Sequence, residues 1–278
     1  MKIKERLQNL LKNKIDNSLL DKLPSGYSRT GDIAIFHQIN TELQNYRSII
    51  GDAIIQLDPQ INVVIEQKTT QTIHRKPQIV HLAGDERYVT KHKEFDTVFH
   101  LDISEITFSP GNKGERDYLI KIVKKNEVIC DMFACIGNLS LPIIVNNPTV
   151  KAHGIEINEK AFQFLKKNIK VNNVEKRYYP VYGDNRKITP KSFASRVLMG
   201  YFKCDDQQII TAIEALKDEG WIHLHAIVER NEEYNIKGIL ERIKESIKFN
   251  YYIHDIRRIK KFSPKLNHFC FDIWISKS

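Results

Sequence analysis

Residues 127–142 of this 278-residue chain are Glu-Val-Ile-Cys-Asp-Met-Phe-Ala-Cys-Ile-Gly-Asn-Leu-Ser-Leu-Pro. The apolar run 128–130 is long enough for a buried strand and too short for a helix. Asp131 ends this run, and a turn with Gly137 leads into the apolar segment 139–145. A strand, an acidic end, a glycine turn and a helix are typical of a parallel sheet that binds a nucleotide-like ligand at its strand ends. Alone, the pattern fits an ordinary strand-to-helix junction equally well.

The next sixty residues repeat this arrangement. Segment 150–157 predicts a second strand ending near Glu156, and segment 177–182 predicts a third, followed by Asp184 and Asn185. The Glu156 carboxylate can accept both hydroxyl groups of a ribose, and Asp184 can accept from an adenine amino group. Acidic strand ends repel phosphate, and the chain has no GxGxxG or GxxxxGK[ST] motif. The pattern therefore favours S-adenosylmethionine, although any one of these carboxylates alone can instead serve as a helix cap.

The basic composition of the chain favours a polyanionic partner. The chain has 43 Lys and Arg residues against 34 Asp and Glu, a formal net charge of +9. This excess favours nucleic acid first and an anionic membrane surface second, and a solvated basic surface without a partner stays open. The four cysteines show no zinc-binding spacing, and no signal peptide or membrane-length apolar run is present. We expect a soluble protein in the reducing cytoplasm.

Three regions are predicted along the chain. Residues 1–22 form an amphipathic helical segment, with one apolar face that continues to residue 23. Residues 23–105 form a small α+β domain, and residues 106–278 form the catalytic α/β domain. A helix is expected over 42–55. The small domain carries a basic face, which consists of His74, Arg75, Lys76, Lys91, His92 and Lys93.

The large domain continues with further helices and strands. We expect helix 113–125 to be capped by Asn112, a strand over 195–202, and a strand over 221–228. A helix over 232–247 then precedes a terminal hairpin formed by residues 251–259 and 268–275.

Arg116 and two histidines are candidate site residues. Arg116 falls in the first turn of its helix, where a cation gains nothing from the helix dipole, so it either binds a carboxylate in a bidentate fork or is solvated. His223 and His225 share one face of their strand by alternation. No third ligand is evident beside them, so we predict no metal site, and the two are either core histidines or pocket groups.

Several motifs, taken in order, resemble the archaeal tRNA(Phe) 4-demethylwyosine aminocarboxypropyltransferases, which are related to the tRNA guanine-37 N1-methyltransferases. The resemblance covers the chain from about residue 27 to its end. It rests on Gly31-Asp32-Ile33-Ala34, Phe108-Ser109-Pro110-Gly111-Asn112 with Glu115-Arg116, Asp131-Met132-Phe133-Ala134, Glu156, Gly183-Asp184-Asn185-Arg186, Arg196-Val197-Leu198-Met199-Gly200-Tyr201 and Ile222-His223-Leu224-His225.

The resemblance implies a class I methyltransferase-like (Rossmann-like) doubly wound sheet and S-adenosylmethionine as the donor. It implies transfer of the 3-amino-3-carboxypropyl group to 4-demethylwyosine at position 37, with the tRNA(Phe) anticodon region as partner. We also expect a monomer. The expected donor-binding residues are Ser109, Arg116, Asp131, Phe133, Gly137, Glu156, Asp184 and Asn185. His223, His225 and Tyr201 are pocket candidates, and basic residues near 74–93 and 257–261 are candidates for tRNA phosphates.

Two departures keep other functions open. The strand end Met199-Gly200-Tyr201-Phe202 lacks the asparagine of the Asn-Leu-Pro found in the related methylases, which disfavours the N1-methyltransferase alternative. Cys135 stands where the family's Ala-Gly-Ile-Gly turn usually has its first glycine. If that position needs a positive φ, Cys135 weakens donor binding, so a catalytically impaired tRNA-binding protein is a second alternative.

Overall fold

The computed structural model describes residues 2–71, 76–229, 235–261, 263 and 265–277. The chain divides into two compact units. The first contains Met1–Lys93 and Phe99–Pro110, and the second contains Glu94–Val98 and Gly111–Ser278. His74 and Arg75 of the predicted basic face, and residues 232–234 of the predicted helix 232–247, lie outside the described residues.

The first unit is a four-stranded sheet with its helices. The strands lie side by side in chain order, as β1 (Ser28–Thr30), β2 (Ile33–Phe36), β3 (Val63–Gln71) and β4 (Lys76–Gly84). Helix α2 (Arg47–Leu57) lies between β2 and β3 in the chain, and these two strands run parallel. The other two pairs of neighbouring strands are antiparallel.

The predicted amphipathic helical segment, residues 1–22, is divided into two helices. The chain forms α1 (Ile3–Leu11) and then a separate 3₁₀ helix, Asn17–Lys22. Asp16 caps the second helix, because its carboxylate accepts from the Ser18 backbone N–H at 2.9 Å, and this bond competes with continuation of the first helix. The apolar face nevertheless packs into the core of the first unit.

The predicted helix 42–55 is also divided, into the 3₁₀ helix Thr41–Tyr46 and α2. Beyond the sheet, β5 (Val89–Glu94) and β6 (Thr97–Asp102) form a hairpin. Its two turn residues, Phe95 and Asp96, both have positive φ, at 48° and 57°, as a type I′ turn requires.

The second unit contains a seven-stranded sheet, ordered β12-β13-β11-β10-β7-β8-β9. Strands β7 to β11 run parallel, and the last two strands form the predicted antiparallel hairpin. This confirms the doubly wound, Rossmann-like sheet. The strands are β7 (Val128–Asp131), β8 (Lys151–Glu156), β9 (Tyr178–Tyr182), β10 (Ala194–Met199), β11 (Leu216–Glu229), β12 (Phe249–Lys261) and β13 (Leu266–Lys277).

Helices cover this sheet, and local side chains explain some of their starts. The helices are α3 (Lys113–Ile122), α4 (Ser140–Asn146), α5 (Glu159–Val171), α6 (Asn185–Ile188), α7 (Asp206–Ala215) and α8 (Ile236–Lys244). Asn158 caps α5 by accepting from two backbone N–H groups. The predicted Asn112 cap is wrong, because within the described structure its side chain makes no capping bond to α3. Among the described helices, none is long and apolar enough to span a membrane.

Candidate functional site

The strand order places the candidate site at one edge of the second unit's sheet. β8 lies on one side of β7 and β10 lies on the other, so the order reverses at β7. Asp131 ends β7, opposite Leu198 of β10, and Glu156 ends β8. A doubly wound sheet binds its ligand in the crevice outside such a reversal point, at the carboxyl ends of the strands.

Asp131 is the most buried carboxylate at this edge, with 1% of its surface exposed. It accepts from the Ser140 hydroxyl at 2.6 Å and from the Phe133 backbone N–H at 3.2 Å. The Ser140 hydroxyl also contacts the Tyr178 hydroxyl at 2.6 Å. Burial raises the pKa of Asp131 to about 6, because the low-dielectric surroundings disfavour its charge.

Glu156 anchors the glycine turn. Its two oxygens accept from the backbone N–H groups of Cys135 and Asn158, each at 2.7 Å. Burial raises the pKa of Glu156, although these backbone bonds oppose the rise. A carboxylate offers about four acceptor positions, so this side chain has capacity for ribose hydroxyl groups beyond its two backbone bonds.

Asp184 and Asn185 have different roles in the described structure. Asp184 caps α6 by accepting from the Arg186 backbone N–H at 3.0 Å, and it also binds the Arg186 guanidinium, which lowers its pKa. The helix-cap interpretation therefore applies to Asp184. Asn185 is buried and donates to the Met132 carbonyl at 2.7 Å, which fixes the turn after β9 against the turn after β7.

The turn after β7 contains two positive φ angles. Gly137 has φ of 92°, and a Cβ there would lie 2.7 Å from the Leu141 Cβ, so only glycine fits. Cys135 has φ of 53°, which is the left-handed backbone conformation that a residue other than glycine adopts at a cost. Between them and α4, the Asn138 side-chain oxygen is buried without a hydrogen-bond partner in the described part of the chain. An orphaned acceptor at this turn fits a ligand that brings N–H or O–H donors.

Phe133 and Tyr201 meet at the reversal point. Phe133 follows β7, Tyr201 follows β10, and their rings stack with centroids 5.4 Å apart and planes 26° apart. Both side chains are partly exposed. The structure thus brings together one expected donor-binding residue and one expected pocket residue, in a form suited to stacking on a planar ring.

Arg116 is neither solvated nor at the helix surface. It is 1% exposed and binds the Glu94 carboxylate through Nε at 2.8 Å and Nη2 at 2.6 Å. The carboxylate-binding interpretation applies, but both contacts meet the same Glu94 oxygen, Oε2, and the carboxylate belongs to the protein. Burial lowers the pKa of Arg116, and Glu94 opposes that shift. Ser109 lies in the first unit, directly before the 3₁₀ turn Pro110–Asn112.

His223 is a buried structural histidine. Its Nε2 contacts the Arg196 guanidinium, and its Nδ1 lies 2.7 Å from an Asp272 oxygen. Because a guanidinium only donates, Nε2 is the acceptor and Nδ1–H donates to Asp272. Arg196 in turn binds Glu127 at 2.7 and 3.0 Å. His223 is therefore a neutral link between two ion pairs, and burial lowers its pKa.

His225 lies two residues further on the same face, also 1% exposed. Its Nδ1 lies 2.8 Å from His268 Nε2, and its Nε2 lies 3.7 Å from Glu115. Ligand atoms of Glu115, His225 and Cys270 all lie within 4.8 Å of one another. The statement that no third ligand stands near the histidines is thus wrong, because neighbouring elements supply two.

Sequence reasoning missed the charged partners of these histidines. Arg257 binds Glu115 at 3.1 Å, binds Asp272 at 2.9 and 3.1 Å, and lies over the Tyr118 ring at 3.8 Å. The expectation that Arg257 serves a tRNA phosphate is wrong, because its guanidinium is bound to these two carboxylates. Alternation along β13 was the one signal available, since it places Asp272 and Cys270 on one face.

Comparison with known proteins agrees with this geometry. The sequence profile of the TRM5/TYW2 methyltransferase domain matches residues 90–253, and that of the TYW2 N-terminal domain matches residues 7–87. This chain belongs to the TRM5/TYW2 family. The resemblance stated from the motifs is therefore confirmed.

Two relatives and one solved structure illustrate the similarity to members of the TRM5/TYW2 family. The tRNA(Phe) (4-demethylwyosine(37)-C(7)) aminocarboxypropyltransferase of Pyrococcus horikoshii is 32% identical over 99% of this chain and 98% of its own. The tRNA (guanine(37)-N(1))-methyltransferase Trm5b of Pyrococcus abyssi is 30% identical over 91% of this chain and 76% of its own. The crystal structure of P. horikoshii TYW2 in complex with MeSAdo superimposes with a TM-score of 0.85 at 30% identity, covering 99% of this chain and 100% of that one.

Proposed function

We propose that this chain transfers the 3-amino-3-carboxypropyl group of S-adenosylmethionine to C7 of 4-demethylwyosine at position 37 of tRNA(Phe). The observation that carries the proposal is the match over nearly the whole length of both chains to the P. horikoshii aminocarboxypropyltransferase. The match of residues 7–87 to the TYW2 N-terminal domain supports the same branch of the family.

The residues at the reversal point fit this donor. The donor carries a sulfonium with three electrophilic carbons, so orientation alone decides which group leaves. In this proposal the Glu156 carboxylate binds the ribose hydroxyl groups, and Asn138 binds the donor's ammonium group with its orphaned oxygen. Asp131, Phe133, Gly137, Asp184 and Asn185 shape the surrounding pocket.

The transfer reaction requires no nucleophilic side chain from the protein. The bond between sulfur and the methionine side-chain carbon breaks, sulfur keeps the electron pair, and methylthioadenosine leaves. A base carbon forms the new bond and releases its proton to water, so the tRNA supplies the nucleophile. We assign Arg116 and Ser109 to the donor's carboxylate, with the Arg116 orientation set by its bonds to Glu94. The protein supplies position and charge.

The partner and setting follow from the same proposal. The +9 charge suits a tRNA, and we place the anticodon region at the donor edge because position 37 must reach the donor. We propose a monomer that works in the cytoplasm, where the four cysteines of the described chain stay without disulfide bonds, as they are here.

The test is the mass of the product. Purified protein is incubated with S-adenosylmethionine and tRNA(Phe) carrying 4-demethylwyosine, and the nucleoside and the donor fragment are identified by mass spectrometry. We expect an aminocarboxypropyl addition and release of methylthioadenosine. A methyl addition with adenosylhomocysteine, tested also on tRNA with guanosine at position 37, would instead establish the N1-methyltransferase alternative, which is the activity in the name of the relative Trm5b. Binding of tRNA without any product would identify an impaired enzyme.

A further inference from the structure

Three potential metal ligands converge from three elements of the second unit. Glu115 comes from α3, His225 from β11 and Cys270 from β13, and their ligand atoms lie within 4.8 Å of one another. His225 and Cys270 are direct partners in the antiparallel ladder, so the sheet itself fixes their spacing. Glu115 and His225 are no more than 2% exposed, and Cys270 is fully buried.

The His225 ring supplies a second, independent observation. Its Nε2 is buried and has no hydrogen-bond partner among the residues that the structure describes. The nearest Glu115 oxygen is 3.7 Å away, which is too long for a hydrogen bond. Leaving a buried polar atom unsatisfied costs roughly 1–3 kcal/mol, so such an atom calls for an explanation.

The other ring nitrogen has the partner that a metal ligand needs. His225 Nδ1 lies 2.8 Å from His268 Nε2. When Nδ1–H donates to His268, the Nε2 lone pair faces Glu115 and Cys270. Metal-binding histidines nearly always donate their second N–H to a neighbouring acceptor, which fixes the tautomer and the ring orientation.

The local charge also suits a divalent cation. Glu115 and Asp272 each carry one negative charge, and Arg257, which binds both, carries one positive charge. These three groups sum to −1. A divalent cation that replaces the Cys270 thiol proton adds two positive charges and one negative, which offsets the charge of these three groups. Lys260 contributes a further positive charge to the surroundings of His225.

The neighbouring donors do not compete for this role. His223 Nε2 accepts from Arg196 and its Nδ1 donates to Asp272, so neither nitrogen is available. Asp272 also accepts from Tyr118 at 2.8 Å and from Arg257. In the second group of potential ligands, His223 and Asp272 are therefore already engaged by hydrogen bonds to several partners, whereas Glu115 in the first group accepts from Arg257 and keeps the further lone pairs of a carboxylate.

We propose that Glu115, His225 and Cys270 form a structural metal site that takes a zinc-type divalent cation. A sulfur, an imidazole and a carboxylate form a borderline-soft set that suits Zn²⁺ or Co²⁺ and not Mg²⁺ or Ca²⁺. Ligands of a tetrahedral site lie about 3.3–3.8 Å apart, so small shifts bring these atoms into range. This replaces the expectation, drawn from the sequence, that the histidines bind no metal.

The consequence concerns α3 and the terminal hairpin. Glu115 directly precedes Arg116 on α3, so a cation at Glu115 fastens the first turn of that helix to β11 and β13. The site binds α3 to the sheet whether or not the proposed transfer takes place.

The test titrates metal-free, full-length protein with Co²⁺. We expect one equivalent to bind with the near-ultraviolet charge-transfer band of a cobalt–thiolate bond, and Zn²⁺ to displace it. The variant Cys270→Ser should lose the band and bind at least tenfold more weakly. Cys204→Ser is the matched control, because Cys204 contacts the Tyr201 carbonyl instead of this cluster, and it should keep both band and affinity.

Several outcomes overturn the proposal. The wild-type protein must show the band, so its absence at excess Co²⁺ ends the case without any variant. Equal cobalt binding in the Cys270 and Cys204 variants would place the ion elsewhere. If Cys270→Ser does not fold, the variant His225→Gln tests the site instead, because it keeps the thiol and removes the Nε2 lone pair. An unchanged band in that variant contradicts the site.

Discussion

Cys135 occupies a backbone conformation that glycine tolerates and other residues adopt at a cost. Its φ is 53°, and the left-handed region costs an L-residue roughly 1–2 kcal/mol. Glycine removes that strain but raises the entropy of the unfolded chain. We expect Cys135→Gly to increase the free energy of unfolding by about 0.5–1 kcal/mol, measured by urea denaturation. The backbone N–H of Cys135 binds Glu156, which we assign to the donor's ribose. Because relief of the strain leaves this turn free to adjust to the donor, we also expect the variant to bind S-adenosylmethionine more tightly, measured by calorimetry.

Gly137 is the matched control for Cys135. It lies two residues away with φ of 92°, and an added Cβ would meet Leu141 at 2.7 Å. Gly137→Ala should therefore destabilise the protein by more than about 1 kcal/mol. If Cys135→Gly also destabilises, the strain at Cys135 is offset by contacts of its side chain.

Asp131 gives a pH dependence whose sign is fixed by its raised pKa. Between the ordinary value of 3.8 and about 6, the folded protein keeps a proton that the unfolded chain has lost. The stabilisation due to this group is complete below pH 3.8 and disappears as the pH rises through 6. A shift of this size corresponds to about 3 kcal/mol.

Asp131→Asn isolates that contribution. The amide keeps an oxygen for the Phe133 N–H and offers an N–H to Ser140. We expect the unfolding free energy of the wild type, relative to this variant, to fall by about 3 kcal/mol between pH 3.5 and 7, measured by denaturant titrations across that range. A difference that is constant with pH would show that Asp131 titrates normally.

The polar contacts that join distant elements could not be predicted from the sequence, whereas the residues at the strand ends could. The strand ends Asp131 and Glu156 were predictable, because an apolar run and the polar residue that ends it are adjacent in the chain. Arg257 and Glu115 are 142 residues apart, and Tyr118 and Asp272 are 154 apart. No local period encodes such pairings, since they arise only when α3 packs on a sheet that ends with the hairpin.

The pair between β5 and α3 allows donor recognition to be tested apart from stability. Arg116→Met alone leaves Glu94 buried without its guanidinium and should cost about 3–5 kcal/mol. Glu94→Met with Arg116→Met replaces both charges by apolar groups and should unfold near the wild-type denaturant midpoint. If Arg116 binds the donor's carboxylate, the double variant should bind S-adenosylmethionine at least tenfold more weakly, measured by calorimetry.

Methylthioadenosine is the matched ligand for this experiment, because it lacks the amino-acid portion of the donor. Its affinity should be the same in the wild type and the double variant. Equal weakening of both ligands would mean that the pair only supports the fold of the pocket. Unchanged S-adenosylmethionine binding would remove Arg116 from the donor site.

At the scale of the whole molecule, the strand directions bring basic side chains of β12 to the edge at which we propose that the tRNA binds. β12 and β11 each run antiparallel to β13, so the end of β12 reaches the sheet edge that carries Asp131 and Glu156. Arg258 and Lys261 are exposed there. Cations at this edge add to the attraction that the +9 charge exerts on a polyanion.

We expect Arg258→Gln with Lys261→Gln to weaken tRNA binding and to reduce the slope of log K against log salt by about one per residue. The matched control is Lys151→Gln with Lys217→Gln, which removes the same charge from the opposite ends of β8 and β11, where both lysines are exposed. The control should change the slope much less, measured by filter binding from low to moderate salt. Equal effects of the two pairs would mean that net charge alone attracts the tRNA, whereas a larger effect of the control would move the binding face to the opposite edge.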